Sequence, residues 1–237
     1  MAENKKTQII AVVVAAGVGS RMGATTPKQY LMLGGKTMLE MSVEAMLVES
    51  RIEKIIVVIS PSDLIGQTIT FSDPRVEVAR VGGTTRAMSV KNGIAYSAAG
   101  AGDWVLIHDA ARPCLLADDL SKLIDTCMSE DQGGILAVPV NDTLKAVNED
   151  GEIERTVPRD GMWAAQTPQM FKADILIDAL DKAGSAVTDE ASALEFVGLK
   201  PMIIEGTSTN LKVTRPEDLW IAQAILDGRA GREQSAS

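Results

Sequence analysis

The sequence predicts an α/β fold: a mostly parallel sheet with helices on both faces, plus one protruding β-hairpin arm. Three observations carry that prediction. Apolar residues run consecutively at Ile9–Val14 and at 55–59, the mark of strands buried on both faces. Strand-like and helix-like segments alternate along the chain, which implies parallel strands joined by crossover helices. Aromatic residues make up only 3% of a chain that is 46% hydrophobic. The core must therefore be built from Ala, Val, Ile, Leu and the eleven Met, a composition suited to helices packed on a Val/Ile-rich sheet. At 237 residues, and with roughly 150 residues per domain, the whole of 1–237 is expected to form one domain. The arm, at about 141–160, is its appendage.

The elements follow in order. The first strand, Ile9–Val14, runs into a turn holding Gly17, Gly19 and Gly23. Residues 37–49 set Met38, Met41, Val43, Ala45, Met46 and Val48 among Glu40, Glu44 and Glu49, an amphipathic helix. Residues 55–59 give a second strand and 76–81 a third. After Gly82-Gly83, Thr84 or Thr85 caps a helix that runs to about Ala98. Residues 104–107 form a further strand, and Asp118 or Asp119 begins a helix through Met128. The Gly133-Gly134 break precedes another strand at 135–140. Residues 143–147 and 152–157 flank Asn148-Glu149-Asp150-Gly151, a turn-rich junction that makes a hairpin. A lone two-stranded hairpin is marginal in water, so this one leans on a second surface, either its own domain or another chain. Thr188 caps a helix through Phe196, and Met202–Glu205 and 211–213 read as strands. Pro216, at a first helical position, starts a helix to about Leu226, and 228–237 reads as a frayed tail.

Composition excludes several function classes. The formal net charge of −9 repels polyanions and argues against nonspecific nucleic-acid or anionic-membrane binding. An anionic ligand then needs a local cationic pocket. Cys114 and Cys127 are the two cysteines and form neither a CxxC motif nor a disulfide framework, so a reducing cytoplasm is the simple reading. His108 is the single histidine, which excludes multi-His metal sites and leaves a triad one candidate base. No GxSxG elbow is present to hold a nucleophile. Lys5-Lys6 ahead of an apolar stretch imitates a secretory signal, but the Val-Val-Val run flowing into a glycine turn reads as a strand. No apolar run approaches the roughly 18 residues of a membrane span, so a soluble protein is expected.

The candidate chemistry collects beyond the strand ends, at the carboxyl edge of the sheet, where open α/β folds bind ligands. The segment from Ala15-Ala16-Gly17-Val18-Gly19-Ser20-Arg21 to Pro27-Lys28 lets backbone N–H groups approach phosphate oxygens, while Arg21 and Lys28 supply positive charge. Its glycines run GxGxxxG, one residue off the dinucleotide fingerprint, and no GKS or GKT follows to make a Walker loop. Gly82-Gly83, with Arg86 and Ser89, sits at a strand-to-helix turn suited to a nucleotide's base or ribose, and equally to a plain capped helix start. His108-Asp109-Ala110-Ala111-Arg112-Pro113 ends another strand, where Asp109 can meet a magnesium ion. The segment around Lys212-Val213-Thr214-Arg215-Pro216 puts a lysine on a short strand ahead of a helix.

Taken together, A-A-G-x-G-x-R-M, P-K-Q-Y, H-D-A-A-R-P, T-D-E-A-S-A-L-E and K-V-T-R-P-E-D, in that order across about residues 8–226, closely resemble the 2-C-methyl-D-erythritol 4-phosphate cytidylyltransferase family. The resemblance implies a Rossmann-like nucleotidyltransferase fold, CTP and 2-C-methyl-D-erythritol 4-phosphate as substrates, magnesium as cofactor, and a homodimer whose hairpin arms interlock. It assigns the nucleotide to Ala15, Ala16, Gly17, Gly19, Gly83, Ser89 and Asp109. Arg21 and Lys28 would stabilise the α-phosphate and the departing pyrophosphate, with Asp109 near the metal. Asp109, Thr143, Arg159, Thr188 and Lys212 would hold the acceptor, Thr143 and Arg159 from the partner's arm. Arg21, Lys28, Arg159 and Lys212 are thus the expected catalytic residues. An in-line attack by the acceptor's phosphate oxygen needs no protein nucleophile, which suits a chain without a triad. Two positions depart from the family pattern: Val14 stands where many relatives carry proline, and Thr84-Thr85 stand where acidic residues are common after the glycine pair. The alternatives are another polyol phosphate acceptor, such as ribitol 5-phosphate, or nucleotide binding without turnover. The glycine spacing disfavours a dinucleotide oxidoreductase.

Overall fold

In the computed structural model, which describes residues 6–17, 26–184 and 187–235, the chain starts with β1 (Ile9–Val14), buried on both faces up to Val13. A one-turn 3-10 helix at Lys28–Tyr30 and a small antiparallel pair, β2 (Met32–Leu33) and β3 (Lys36–Thr37), lead into α1 (Met38–Leu47). Thr37 caps α1 reciprocally. Its hydroxyl accepts from the Glu40 N–H, and the Glu40 carboxylate accepts from the Thr37 N–H, so two of the helix's orphan donors are satisfied at once. Next come β4 (Ile52–Val58), β5 (Val76–Ala79), α2 (Arg86–Ser97), β6 (Trp104–Asp109), α3 (Ala117–Glu130) and β7 (Gly134–Pro139). The arm is β8 (Leu144–Val147) and β9 (Ile153–Val157). β10 (Trp163–Lys172), α4 (Ala173–Ala183), α5 (Glu190–Phe196), β11 (Met202–Glu205) and α6 (Pro216–Ser235) complete the order.

Seven strands form the main sheet in the order β11-β7-β10-β6-β1-β4-β5. β1 pairs in parallel with both β4 and β6, β4 with β5, and β7 with β11. From β1 the chain winds outward to β4 and β5, then returns to add β6 on the other side of β1. That reversal leaves a crevice beyond the carboxyl ends of β1 and β6, where Val14 and Asp109 are register partners. Alternate residues of β1 face opposite ways. Ile9, Ala11 and Val13 join α1 (Leu39, Val43, Met46) and α3 (Leu120, Leu123, Ile124) in one core layer. Ile10 and Val12 join α2 (Val90, Ile94), α4 (Leu176, Leu180) and α5 (Ala191, Leu194) in the other. A third, smaller cluster packs Val213 and Ala222 against Leu33, Met38 and Cys114.

The expected fold class holds, with several local corrections. The sheet is mostly parallel, but β10 runs antiparallel between β6 and β7. The sequence reading gave the stretch holding β10 and α4 no element. Residues 211–213 are not a strand: Val213 N–H reaches only the Ala111 carbonyl (2.8 Å), a single tie of a loop and not a ladder. The cap of α5 is Asp189, one residue past Thr188, because the Asp189 carboxylate accepts from Ser192 N–H while the Ser192 hydroxyl accepts from Asp189 N–H. α3 opens at Ala117, with Asp118 and Asp119 already in its first turn. α6 continues to Ser235 instead of fraying after Leu226, held where Arg229 donates to the Cys114 carbonyl (2.9 Å) and the Thr209 hydroxyl (3.0 Å). The hairpin forms within the expected 141–160. It is a separate two-stranded sheet whose apolar Val147 and Ile153 are 56% and 64% exposed. Among the described residues, no helix is long and apolar enough to cross a membrane.

α2 lies so close to the sheet that a Cβ on Gly93 would stand 2.7 Å from methyls of both Val12 and Val58. Overpacking of this kind costs about 1–3 kcal/mol, more than the ~1 kcal/mol that Ala gains over Gly in a helix. Gly93→Ala is expected to lower the urea unfolding midpoint; a raised midpoint would show that the contact yields freely.

Candidate active site

The crevice opens into a cavity of about 850 Å³, lined by residues 14–17 after β1, 60–62 after β4, 82–86 between β5 and α2, 109–111 after β6, and by Lys28 and Lys212. The walls are thus mostly strand ends and the loops beyond them, with the first turns of α2 (Arg86, Met88, Ser89, Asn92) and the 3-10 helix (Lys28, Gln29) closing the rest. Backbone ties shape these loops. Ala15 N–H donates to Val58 O (2.9 Å), and the Gln29 amide donates to Ala15 O (2.9 Å). A Cβ on Gly82 would fall 2.5 Å from Ala16 Cβ and 2.8 Å from Ile59 O, so only glycine lets the two loops meet. The Ser89 hydroxyl accepts from Gly83 N–H (3.0 Å) and donates to Thr85 O (2.9 Å), bracing the loop against the start of α2. At Gly17 a Cβ would meet nothing within 4 Å, so its backbone borders open space.

Charge is concentrated on the opposite wall. Asp109 Oδ1 faces Arg86 Nε (3.0 Å) and Nη2 (2.9 Å), and Oδ2 faces Lys212 Nζ (2.6 Å). Arg86 turns its outer edge to Glu190, with Nη1 to Oε1 at 2.5 Å and Nη2 to Oε2 at 3.1 Å. Glu190 is completely buried. Burial works against the Asp109 carboxylate, but the charges of Arg86 and Lys212 outweigh it and hold the group well below the usual range. Lys28 Nζ donates to Val213 O (3.1 Å), the residue next to Lys212, so two ammonium groups reach the same cavity.

His108 has no role as a base. It is buried, with Nε2 3.2 Å from Arg112 O and Nδ1 3.1 Å from Thr167 Oγ1. A carbonyl only accepts, so Nε2 carries the hydrogen and Thr167 donates to Nδ1. The same Thr167 oxygen accepts from Asp109 N–H (3.0 Å). Burial pushes the imidazole down to about 4, leaving a neutral brace behind Asp109.

Of the residues expected at the site, Ala15, Ala16, Gly17, Lys28, Gly83, Ser89, Asp109 and Lys212 line the cavity together. Gly19 and Arg21 lie outside the described residues. Thr188 borders an adjoining crevice of about 60 Å³ shared with Arg86 and Glu190. Thr143 and Arg159 are exposed residues at the base of the arm and do not line the cavity. Sequence reasoning set Arg86 in the turn suited to a nucleotide without giving it a role of its own, and missed Glu190. A glutamate in the first turn of a helix reads as an ordinary partner of the helix dipole, and nothing local ties it to an arginine 104 residues away. Among the described residues no group of three or more His, Cys, Asp or Glu could hold a metal. The lone Asp109 carboxylate fits only an ion that takes most of its ligands from phosphates and water.

The family model of 2-C-methyl-D-erythritol 4-phosphate cytidylyltransferase matches residues 9–228. The chain belongs to this family. The cytidylyltransferase of Laribacter hongkongensis is 49% identical over 222 residues, covering 93% of this chain and 96% of the relative. That of Pectobacterium atrosepticum is 50% identical over 228 residues, covering 92% and 94%. A crystal structure of 4-diphosphocytidyl-2C-methyl-D-erythritol synthase superposes with a TM-score of 0.82 at 41% identity, covering 93% of this chain and all of the other. The Rossmann-like nucleotidyltransferase fold expected from the motifs is therefore the fold of this cytidylyltransferase chain.

The Ser89 brace gives a direct test of the loop geometry. Ser89→Ala removes the acceptor of Gly83 N–H, and the expected cost is about 1 kcal/mol in urea unfolding, with faster hydrogen exchange at the Gly83 amide. Unchanged protection there would show that another group satisfies it.

Proposed function

We propose that this chain transfers CMP from CTP to 2-C-methyl-D-erythritol 4-phosphate and releases pyrophosphate, a step of non-mevalonate isoprenoid biosynthesis. The observation that carries the reading is the cavity at the strand-order reversal, where a backbone-lined turn faces Lys28, Lys212 and Asp109. An acceptor phosphate oxygen attacks the α-phosphorus, a new P–O bond forms, and the bond to the β-phosphate bridging oxygen breaks as pyrophosphate leaves. Positioning and charge stabilisation suffice for such a displacement.

In this reading, Ala15, Ala16, Gly17 and Gly19 offer backbone contacts to the triphosphate, and Gly83, Ser89 and Asp109 border the nucleoside. Lys28 and Arg21 stabilise charge on the α-phosphate and the leaving group. Magnesium, when bound, neutralises charge across the phosphates, and Asp109 is the protein residue that would hold it. Lys212 and Thr188 hold the acceptor on the Asp109 side. Thr143 and Arg159, together at the base of an exposed arm, serve the partner of a homodimer, whose surface also covers Val147 and Ile153. We assign the enzyme to the cytoplasm, in keeping with two buried thiols: burial pushes Cys114 up to about 11 and Cys127 up to about 12.

The test is pyrophosphate release from CTP, scanned over acceptor phosphates. Release with 2-C-methyl-D-erythritol 4-phosphate and not with ribitol 5-phosphate is expected; the reverse preference would move the enzyme to another polyol phosphate, and CTP binding without release would remove the activity. Lys28→Met is expected to lower kcat by about 10²-fold or more in a folded protein, the scale of one preorganised charge-stabilising donor. Near wild-type turnover would take Lys28 out of the mechanism.

Shared sites have their own signature. In a mixed dimer of Lys28→Met with Arg159→Ala, one site collects both defects and the other receives neither. Random exchange makes about half of the dimers mixed, so activity should recover to roughly a quarter of wild type. No recovery after exchange has been demonstrated with differently tagged chains would mean that each arm serves its own chain.

A further inference from the structure

We infer that Glu190 is a positioning residue for the acceptor side of the site: by gripping Arg86 it fixes Asp109 and, through Asp109, Lys212. The inference rests on the functional reading above. A guanidinium at the start of α2, lining the large cavity, would by its chemistry serve as a phosphate ligand. Here each of its three nitrogens instead faces a carboxylate oxygen, of Asp109 on one side and Glu190 on the other. Asp109 then presents Oδ2 to Lys212. Glu190, Arg86, Asp109 and Lys212 form a row of alternating charge that sums to zero.

The far end of the row is rigidly mounted. Glu190 has no solvent exposure and sits in the first turn of α5, just after the Asp189–Ser192 capping box. Gln169, itself buried, accepts from Ala191 N–H (3.0 Å) and donates to the Asp189 carboxylate (2.9 Å), so residues on both sides of Glu190 are tied to β10. The clasp therefore connects segments that meet different substrates: the start of α2 on the nucleotide side, and the segments holding Thr188 and Lys212 on the acceptor side. Neutralising Glu190 frees Arg86 to move, Asp109 follows its partner, and Lys212 loses its anchor. A guanidinium held between two carboxylates cannot be replaced by an ammonium, which lacks the planar fork.

The experiment compares wild type, Glu190→Gln, Arg86→Lys and the double variant by pyrophosphate release, with CTP and 2-C-methyl-D-erythritol 4-phosphate varied in turn. Each single variant is expected to raise the acceptor KM about tenfold or more, the scale of a misplaced binding group, and the CTP KM by a clearly smaller factor, since Asp109 also borders the nucleoside. The double variant should be no worse than the singles, because both break one clasp. A folded Glu190→Gln with wild-type acceptor KM, or one whose CTP KM rises as much as its acceptor KM, overturns the inference and leaves a pair that serves stability alone. Should Glu190→Gln fail to fold, Arg86→Lys decides by the same criteria. Wild-type protein without turnover on this acceptor would overturn the functional reading and the inference with it; wild-type turnover with unaffected variants overturns the inference alone.

Discussion

Much of this structure depends on β1 being paired in parallel on both sides, with β4 and with β6. Parallel pairing aligns the carboxyl ends of all three strands on one edge, and the reversal of direction at β1 separates the loops just enough to leave a crevice. The loop after β5 is drawn in as well, because Gly82 lets it lie against Ala16 and the Ile59 carbonyl. The cavity is thus a consequence of strand order and of one missing side chain. The loops that line it inherit their positions from a sheet buried on both faces.

Electrostatics then sets what such a crevice can hold. A chain of net charge −9 repels a triphosphate at a distance, so binding depends on cations that stay close to the site and stay aimed. Lys28 and Lys212 are both tied to neighbours, the one to the Val213 carbonyl and the other to Asp109. Arg86 is more tightly confined still, between two carboxylates. Taking the charges out of water costs free energy that only close pairing recovers. The same pairing leaves them preorganised, which is what phosphoryl transfer requires of its protein.

The antiparallel β10 shows why some of the fold escaped a reading of the sequence. Its residues include Ala164, Ala165, Gln166, Thr167 and Gln169, small or polar side chains that carry neither an apolar run nor clean alternation. Gln166, Thr167 and Gln169 are nonetheless buried, because each finds partners elsewhere along the chain, among them Thr207, Asp109 and Asp189. Residues 211–213 failed in the opposite direction. Leu211 and Val213 alternate with Lys212 as a strand would, yet the segment has a single backbone–backbone bond and is otherwise held by the lysine contacts of the site and by apolar packing against α6.

What the sequence by itself determined is the part written in local periodicity and local chemistry. Consecutive Val and Ile gave β1 and β4 as strands buried on both faces, a cap at Thr84 or Thr85 opened the helix after the glycine pair, and the glycine turn with Lys28 and the His108-Asp109 strand end marked the edge where ligands bind. What only the tertiary structure decided is who faces whom. His108 became a neutral brace because Thr167 and the Arg112 carbonyl occupy both of its nitrogens. Glu190 became part of the site because Arg86 lies opposite, 104 residues away in the chain. Such pairings arise when two separately built elements are brought together by burial of their apolar faces. No spacing within either element carries a trace of the other.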